Sequence, residues 1–227
     1  MSKDKSLRLF RAPILTPDWG LREGIIFMCK EKLPSFMWDN SENDGHAETI
    51  MDYVISWCLR VAANDFCSKY KPKLYHYCKF LLFKLLQIEE NTDQIVLEEV
   101  KVWKQWKRID LWVEVILINN GQKENHSILI ENKYYTLTHD RRDIDGTYKN
   151  QLEVYKNIFD DFYAQDNNRK KHYALITCLD NYPDKEKIQK LGYQLYTYSA
   201  LKDEMANNAG NVEPSESDIF NEFWINW

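Results

Sequence analysis

The stretch that decides the fold runs from Arg108 to Lys133 and reads RIDLWVEVILINNGQKENHSILIENK. In its first half Ile109, Leu111, Val113 and Val115 alternate with Asp110, Trp112 and Glu114. Side chains repeat every second residue along a strand, so this alternation predicts a β-strand. Asn120-Gly121 follows, a dipeptide suited to the two positive φ angles of a tight hairpin turn. Ser127-Ile-Leu-Ile-Glu-Asn-Lys133 then returns as a second strand. A two-residue turn pairs Asn119 with Gln122, so partner numbers add to 241. Leu111 then meets Ile130, Val113 meets Ile128, and Asp110 meets Glu131. A longer loop between Ile118 and Ser127 would slide the register by two and leave the faces unchanged.

Two polar islands interrupt these apolar strands, Asp110 and Glu131-Asn-Lys133. Ionised groups rarely stand mid-strand without a partner or a task. Directly opposed, the two carboxylates would have Cβ atoms roughly 5 Å apart. Lys133 follows Glu131 by two residues and shares its face. Two carboxylates so placed repel unless a proton or a cation intervenes. A hard divalent cation with oxygen ligands resolves this, and Mg²⁺ suits sites that also take phosphate. The ammonium can hold an attacking water or offset charge developing on a phosphate. The plainer reading is a cross-strand salt-bridge cluster.

Working outward, Ala47, Ile50, Met51, Val54, Trp57, Cys58, Val61 and Ala62 mark an amphipathic helix. A second helix is expected over Tyr77–Gln87, and Val96, Val100 and Val102 suggest a strand before the hairpin. Tyr148–Tyr163 returns to helical spacing, His172–Leu179 reads as a buried strand, and Tyr193–Tyr198 as another. This order predicts an α/β sandwich with a mixed sheet. Residues 1–45, with Pro13, Pro17 and Pro34, read as an irregular arm or cap, and 46–204 as the core. Residues 205–218 read as a polar linker, and 219–227 as an aromatic tail. The tail's Phe220, Phe223, Trp224 and Trp227 fall at helical spacing. It is expected to pack on its own domain or to dock on another chain, a second copy or a partner protein.

Composition sets the class. With 44% apolar and 14% aromatic residues among 227, the chain can bury a core, which excludes disorder over most of its length. No apolar run approaches the ~18–20 residues of a membrane helix, and Met1–Ser6 lacks a signal peptide's apolar stretch. A soluble, cytoplasmic protein is expected. The five cysteines are odd in number and form no C-x-x-C pair, so isolated thiols are expected rather than a disulfide framework. The net charge of −5 argues against a nucleic-acid coat protein, but not against an enzyme that meets nucleic acid through local basic patches and cations.

Asp110 followed by Glu131-x-Lys133 at the end of an apolar strand resembles the PD-(D/E)XK nuclease superfamily. Downstream, Gln151-Leu-Glu-Val-Tyr155 resembles the Q-x-x-x-Y helix motif of its RecB-like members. The resemblance spans roughly Ala47 to Leu201. No proline precedes Asp110, a departure from the family pattern. The resemblance implies a three-layer α/β/α, restriction-endonuclease-like core and Mg²⁺-dependent hydrolysis of phosphodiester bonds, with Mn²⁺ as a substitute and DNA as the expected nucleic acid. It implies Asp110, Glu131 and the carbonyl of Asn132 as metal ligands, and Lys133 as the group that orients the water. Gln151 and Tyr155, at i and i+4, would share one helix face. The rival reading is a catalytically inactive nuclease-fold protein that binds nucleic acid or a partner protein.

Further acids are candidates for the metal. Glu48 opens the first long helix, where relatives often place one, and Glu98 sits on a strand with Val96, Val100 and Val102. Lys104, Lys107 and Arg108, interleaved with Trp103 and Trp106, are candidates for gripping a nucleic-acid backbone and stacking bases. Such basic runs are more often a solvated face.

Overall fold

The hairpin around Asn120-Gly121 forms as expected. Asn119 pairs with Gln122, Val113 with Ile128 and Leu111 with Ile130. Asn120 and Gly121 supply the two positive φ angles, 50° and 78°. The computed structural model describes residues 11–14, 22–25, 47–88, 94–142, 146–208 and 213–226. The chain divides into two compact units, Met1–Pro34 and Ser35–Trp227.

In the first unit, β1 (Arg11–Ile14) pairs antiparallel with β2 (Arg22–Ile25). The arm expected to be irregular therefore contains a short hairpin; the rest of the arm lies outside the described residues.

The second unit opens with α1 (Ala47–Val61), α2 (Asp65–Tyr70) and α3 (Pro72–Leu85). Three long strands follow, β3 (Ile95–Trp106), β4 (Ile109–Asn119) and β5 (Gln122–Lys133). A small hairpin, β6 (Asp140–Arg142) with β7 (Tyr148–Asn150), leads into α4 (Gln151–Phe162). Then come β8 (Lys170–Thr177), α5 (Lys185–Lys190), β9 (Gln194–Thr197), α6 (Tyr198–Asn208) and α7 (Asp218–Phe220), the last running into a π-helical turn, Asn221–Asn226. The main sheet has the order β3-β4-β5-β8-β9. Its first three strands are antiparallel, and β8 and β9 run parallel to β5.

Alternation along the central strands builds two cores. Leu111, Val113, Val115, Leu117, Ile128 and Ile130 face α1, α3 and α6. Trp112, Leu129 and Leu175 face the other way, onto Leu152, Tyr155 and Phe159 of α4 and Ile188 of α5. Helices therefore cover both faces of a mixed five-stranded sheet. Among the described residues no helix is long and apolar enough to cross a membrane, and the four described cysteines are free thiols.

Three details depart from the periodicity. A bulge between Leu97 and Glu99 shifts the β3 register, so Ile95 and Leu97 face the α1 core before it and Val100 and Val102 after it. Val96, 58% exposed, does not share the face of Val100 and Val102. The β3–β4 turn is made by Lys107 and Arg108 at φ 54° and 67°, with no glycine to announce it. α4 begins at Gln151 rather than Tyr148, because Asn150 caps it, its side chain accepting from the Leu152 N–H at 3.0 Å.

The segment expected to be a polar linker is docked at its far end. Glu216 accepts from the Leu74 N–H at 3.0 Å and the Lys73 N–H at 3.4 Å, satisfying orphan donors at the start of α3. The tail packs back on its own domain: Phe220, Phe223 and Trp224 are at most 1% exposed. Trp227 lies outside the described residues.

Candidate active site

The end of the β4–β5 hairpin nearest α1 gathers the acids. Backbone pairing of β4 with β5 runs to Leu111–Ile130. Asp110, the next residue, leaves the ladder and accepts instead from the backbone N–H of Asn132 at 2.9 Å. Gln105, on β3 beside it, adopts a positive φ of 54°. Its amide donates to Asp110 Oδ1 and to Asp52 Oδ2, each at 2.9 Å. Asp52 lies on α1, and its Oδ1 accepts from the Asn132 side chain at 2.7 Å. Two acids from different elements are thus bridged twice, by Gln105 and by Asn132.

Glu131 is fully buried. Its Oε1 accepts from Lys133 Nζ at 2.8 Å and from the Gln151 amide. Lys133 also approaches Glu48 of α1 at 3.7 Å. Glu48 is anchored in turn by the Tyr134 N–H and the Thr136 hydroxyl. Gln151, at the first turn of α4, donates to the Tyr155 hydroxyl at 3.4 Å as well. These groups border a cleft of about 410 Å³, lined by Glu48, Asp52, Gln105, Asp110, Glu131, Lys133 and Gln151. Thr49, Arg108, His139 and Arg141 complete its lining.

The electrostatics follow from burial. Desolvation, then repulsion from Asp110, pushes the Asp52 carboxyl up to about 7. Burial raises Asp110 as well, against the donors that favour its charged form. Glu131 is held well above the carboxylate range by burial and by Asp110. Burial opposes the Lys133 ammonium, but Glu131, Glu48 and Asp110 together hold its pKa above the ordinary lysine value. Three acids that resist ionising together beside one lysine form a site short of positive charge.

The donor set fits a hard cation. Glu131 Oε2, Asn132 Oδ1 and Gln151 Oε1 are buried oxygens with no hydrogen-bond partner. Unsatisfied buried oxygens of this kind call for a cation or a proton. Among the described residues no three His, Cys, Asp or Glu side chains already converge as a metal cage. Gln105 and Asn132 occupy the oxygens of Asp52 and Asp110. A cation would have to displace those amide donors.

The structure therefore brings together Asp110, Glu131, Asn132, Lys133, Gln151 and Glu48, with Arg108 on the rim and Tyr155 behind Gln151. Three candidates stand elsewhere. Glu98 pairs with Lys123 at 2.7 Å, at the far end of the sheet from Asp110, because the bulge turns it outward. Lys104 lies over the Tyr53 ring at 3.1 Å. Lys107 lies over the Trp106 and Phe162 rings. Asp52, Gln105, His139 and Arg141 were not anticipated. Asp52 left one signal: it is the i+4 neighbour of Glu48 and falls among Met51, Ile55 and Leu59 on the buried side of α1.

The Asp52 shift predicts a pH dependence of the metal-free protein. With a folded pKa of about 7 against an ordinary 3.8, the folded state binds more protons than the unfolded state between those values. Stability should therefore fall as pH rises through that window. Asp52→Asn should flatten the profile, as read by denaturant midpoints from about pH 4 to 8. An unchanged slope in the variant would show that Asp52 is ionised throughout.

No family model, no curated protein and no solved structure matches this chain.

Proposed function

We propose that the chain is a metal-dependent phosphodiesterase acting on nucleic acid, DNA in the first instance, with a restriction-endonuclease-like core of the PD-(D/E)XK kind. The observation that carries this reading is the meeting of Asp110, Glu131 and Lys133 in one cleft, with Gln151 of α4 hydrogen-bonded to Glu131. A salt-bridge cluster would account for Lys133 and Glu131 but leaves three buried oxygens without partners.

Asp110, Glu131 and the Asn132 carbonyl would hold Mg²⁺, with Glu48 at its edge. When bound, the ion neutralises the acids, polarises the phosphate and lowers the pKa of a water. The protein's own groups do the rest. Glu131 and Glu48 hold the Lys133 ammonium in place. From there Lys133 orients the attacking water and offsets charge developing on the phosphate oxygens. Gln151 fixes the Glu131 carboxylate in one rotamer from a rigid helix. The products are a phosphomonoester and a free hydroxyl.

A titration of Mg²⁺ and Mn²⁺ against labelled DNA and RNA tests the reading. Divalent-dependent cleavage is expected. Binding without cleavage would favour an inactive nuclease-fold protein, and the absence of both binding and cleavage would overturn the proposal. Within it, Lys133→Ala should slow single-turnover cleavage by about 10²-fold with little change in substrate binding. Lys133→Arg should not restore the rate, because a guanidinium is broader and planar. A single-turnover rate equal to the parent's in Lys133→Ala would remove lysine from the chemistry.

A further inference from the structure

Arg141 stands on the cleft rim, on β6, facing the same space as Asp110, Glu131 and Lys133. The cleft holds four acids, yet among the described residues Arg141 forms an ion pair with none of them. Its contacts are of another kind. Nε donates to His139 Nε2 at 3.3 Å, and the guanidinium lies over the Tyr155 ring at 5.3 Å. His139 suits the acceptor role, since burial, then the charges of Arg141 and Lys133, favours its neutral form. Among the described residues neither terminal nitrogen of Arg141 has a hydrogen-bond or ion-pair partner.

The support beneath Arg141 is firm. The His139 carbonyl accepts from the Gln151 N–H at 2.9 Å. Asp140 pairs with Asn150, the cap of α4. The arginine is thereby tied to the helix turn whose Gln151 holds Glu131. A planar guanidinium that lies over an aromatic ring, is bonded at Nε and presents its two terminal nitrogens to the cleft matches a phosphate oxygen pair.

We propose that Arg141 anchors a backbone phosphate of the nucleic acid in the cleft, through its two terminal guanidinium nitrogens, with His139 and Tyr155 holding it in that pose. This rests on the nuclease reading above, and it supplies a contact that the acids and Lys133 do not.

The test uses the full chain. Single-turnover cleavage of a labelled oligonucleotide is measured against protein concentration and salt for the parent, Arg141→Ala and Arg141→Lys. Arg141→Ala is expected to raise the half-saturating concentration by about tenfold. It should also lower the salt slope by about one. Arg141→Lys should restore the slope but not the affinity, because an ammonium keeps the charge without the fork. A half-saturation point and slope matching the parent in Arg141→Ala would overturn the anchor and leave the nuclease reading standing. If the parent cleaves nothing, the nuclease reading falls. Inorganic phosphate, titrated while the Arg141 Nε–Hε signal is followed by NMR, then decides the anchor alone. A saturable shift of that signal keeps it, and a signal that does not move overturns it.

Discussion

Glu131→Gln is expected to lower divalent-dependent cleavage by about 10³-fold or more while the chain stays folded. The substitution preserves shape and removes one charge from a place where charge is costly. Glu131 is fully buried, and burial and Asp110 both oppose its ionisation. A glutamine oxygen can still accept from Lys133 or Gln151, so the local hydrogen bonds are partly kept. Stability of the metal-free protein should therefore change little or rise, because repulsion with Asp110 disappears. Added Mg²⁺ should raise the denaturant midpoint of the parent and not that of the variant, since a ligand that binds only the native state stabilises it by mass action. Asp110→Ala should behave alike in activity. Parent-like cleavage by either variant would dismiss the carboxylate pair as the metal site.

What was legible in the sequence was what period and turn chemistry control. The Asn120-Gly121 turn and the alternation on both sides of it placed Leu111 against Ile130 and Val113 against Ile128, and the structure holds that register. The same rule brought Asp110 to Glu131 but missed how it gets there. Asp110 lies just beyond the last β4–β5 pair and opposite Gln105 of β3, whose left-handed backbone no local sequence signal announces. Helix α1 showed its apolar stripe, while Asp52 within that stripe stayed hidden because its partners are distant in sequence, Gln105 and Asn132. Glu98 misled for a related reason. A single-residue bulge inverts the faces of β3, and strict alternation cannot register it. Arg141 and His139 lie on a short hairpin whose strands have three residues each, too few for a periodic signal.

A chain ending at Asn208 is expected to lose cooperative folding. The composition of the segment after α6, polar and proline-containing, reads as a linker whose loss a core would tolerate. The packing says otherwise. Phe220 stacks on Tyr77 of α3 at 5.2 Å, and Trp224 stacks on Tyr198 of α6 at 5.0 Å. Phe223 meets Tyr198 edge-on, and its carbonyl accepts from the Tyr198 hydroxyl. All three aromatics belong to the same core as Met51, Leu81 and Ile130. Deleting a buried Phe or Trp side chain typically costs ~3–5 kcal/mol. The three together amount to on the order of 10 kcal/mol, against a total stability of ~5–15 kcal/mol for a domain. Removing Glu216 also uncaps α3, whose own cap residue Lys71 supplies no side-chain bond. Since α1 packs in the same core and carries Glu48 and Asp52, the loss should extend to the cleft. The measurement is a denaturant titration followed by circular dichroism, with Trp224→Ala in the full chain as the milder variant. The truncation should show no cooperative transition, and Trp224→Ala a midpoint lowered by the equivalent of ~3–5 kcal/mol. A truncated chain with the parent's midpoint and cleavage rate would show that the tail only covers a core complete without it.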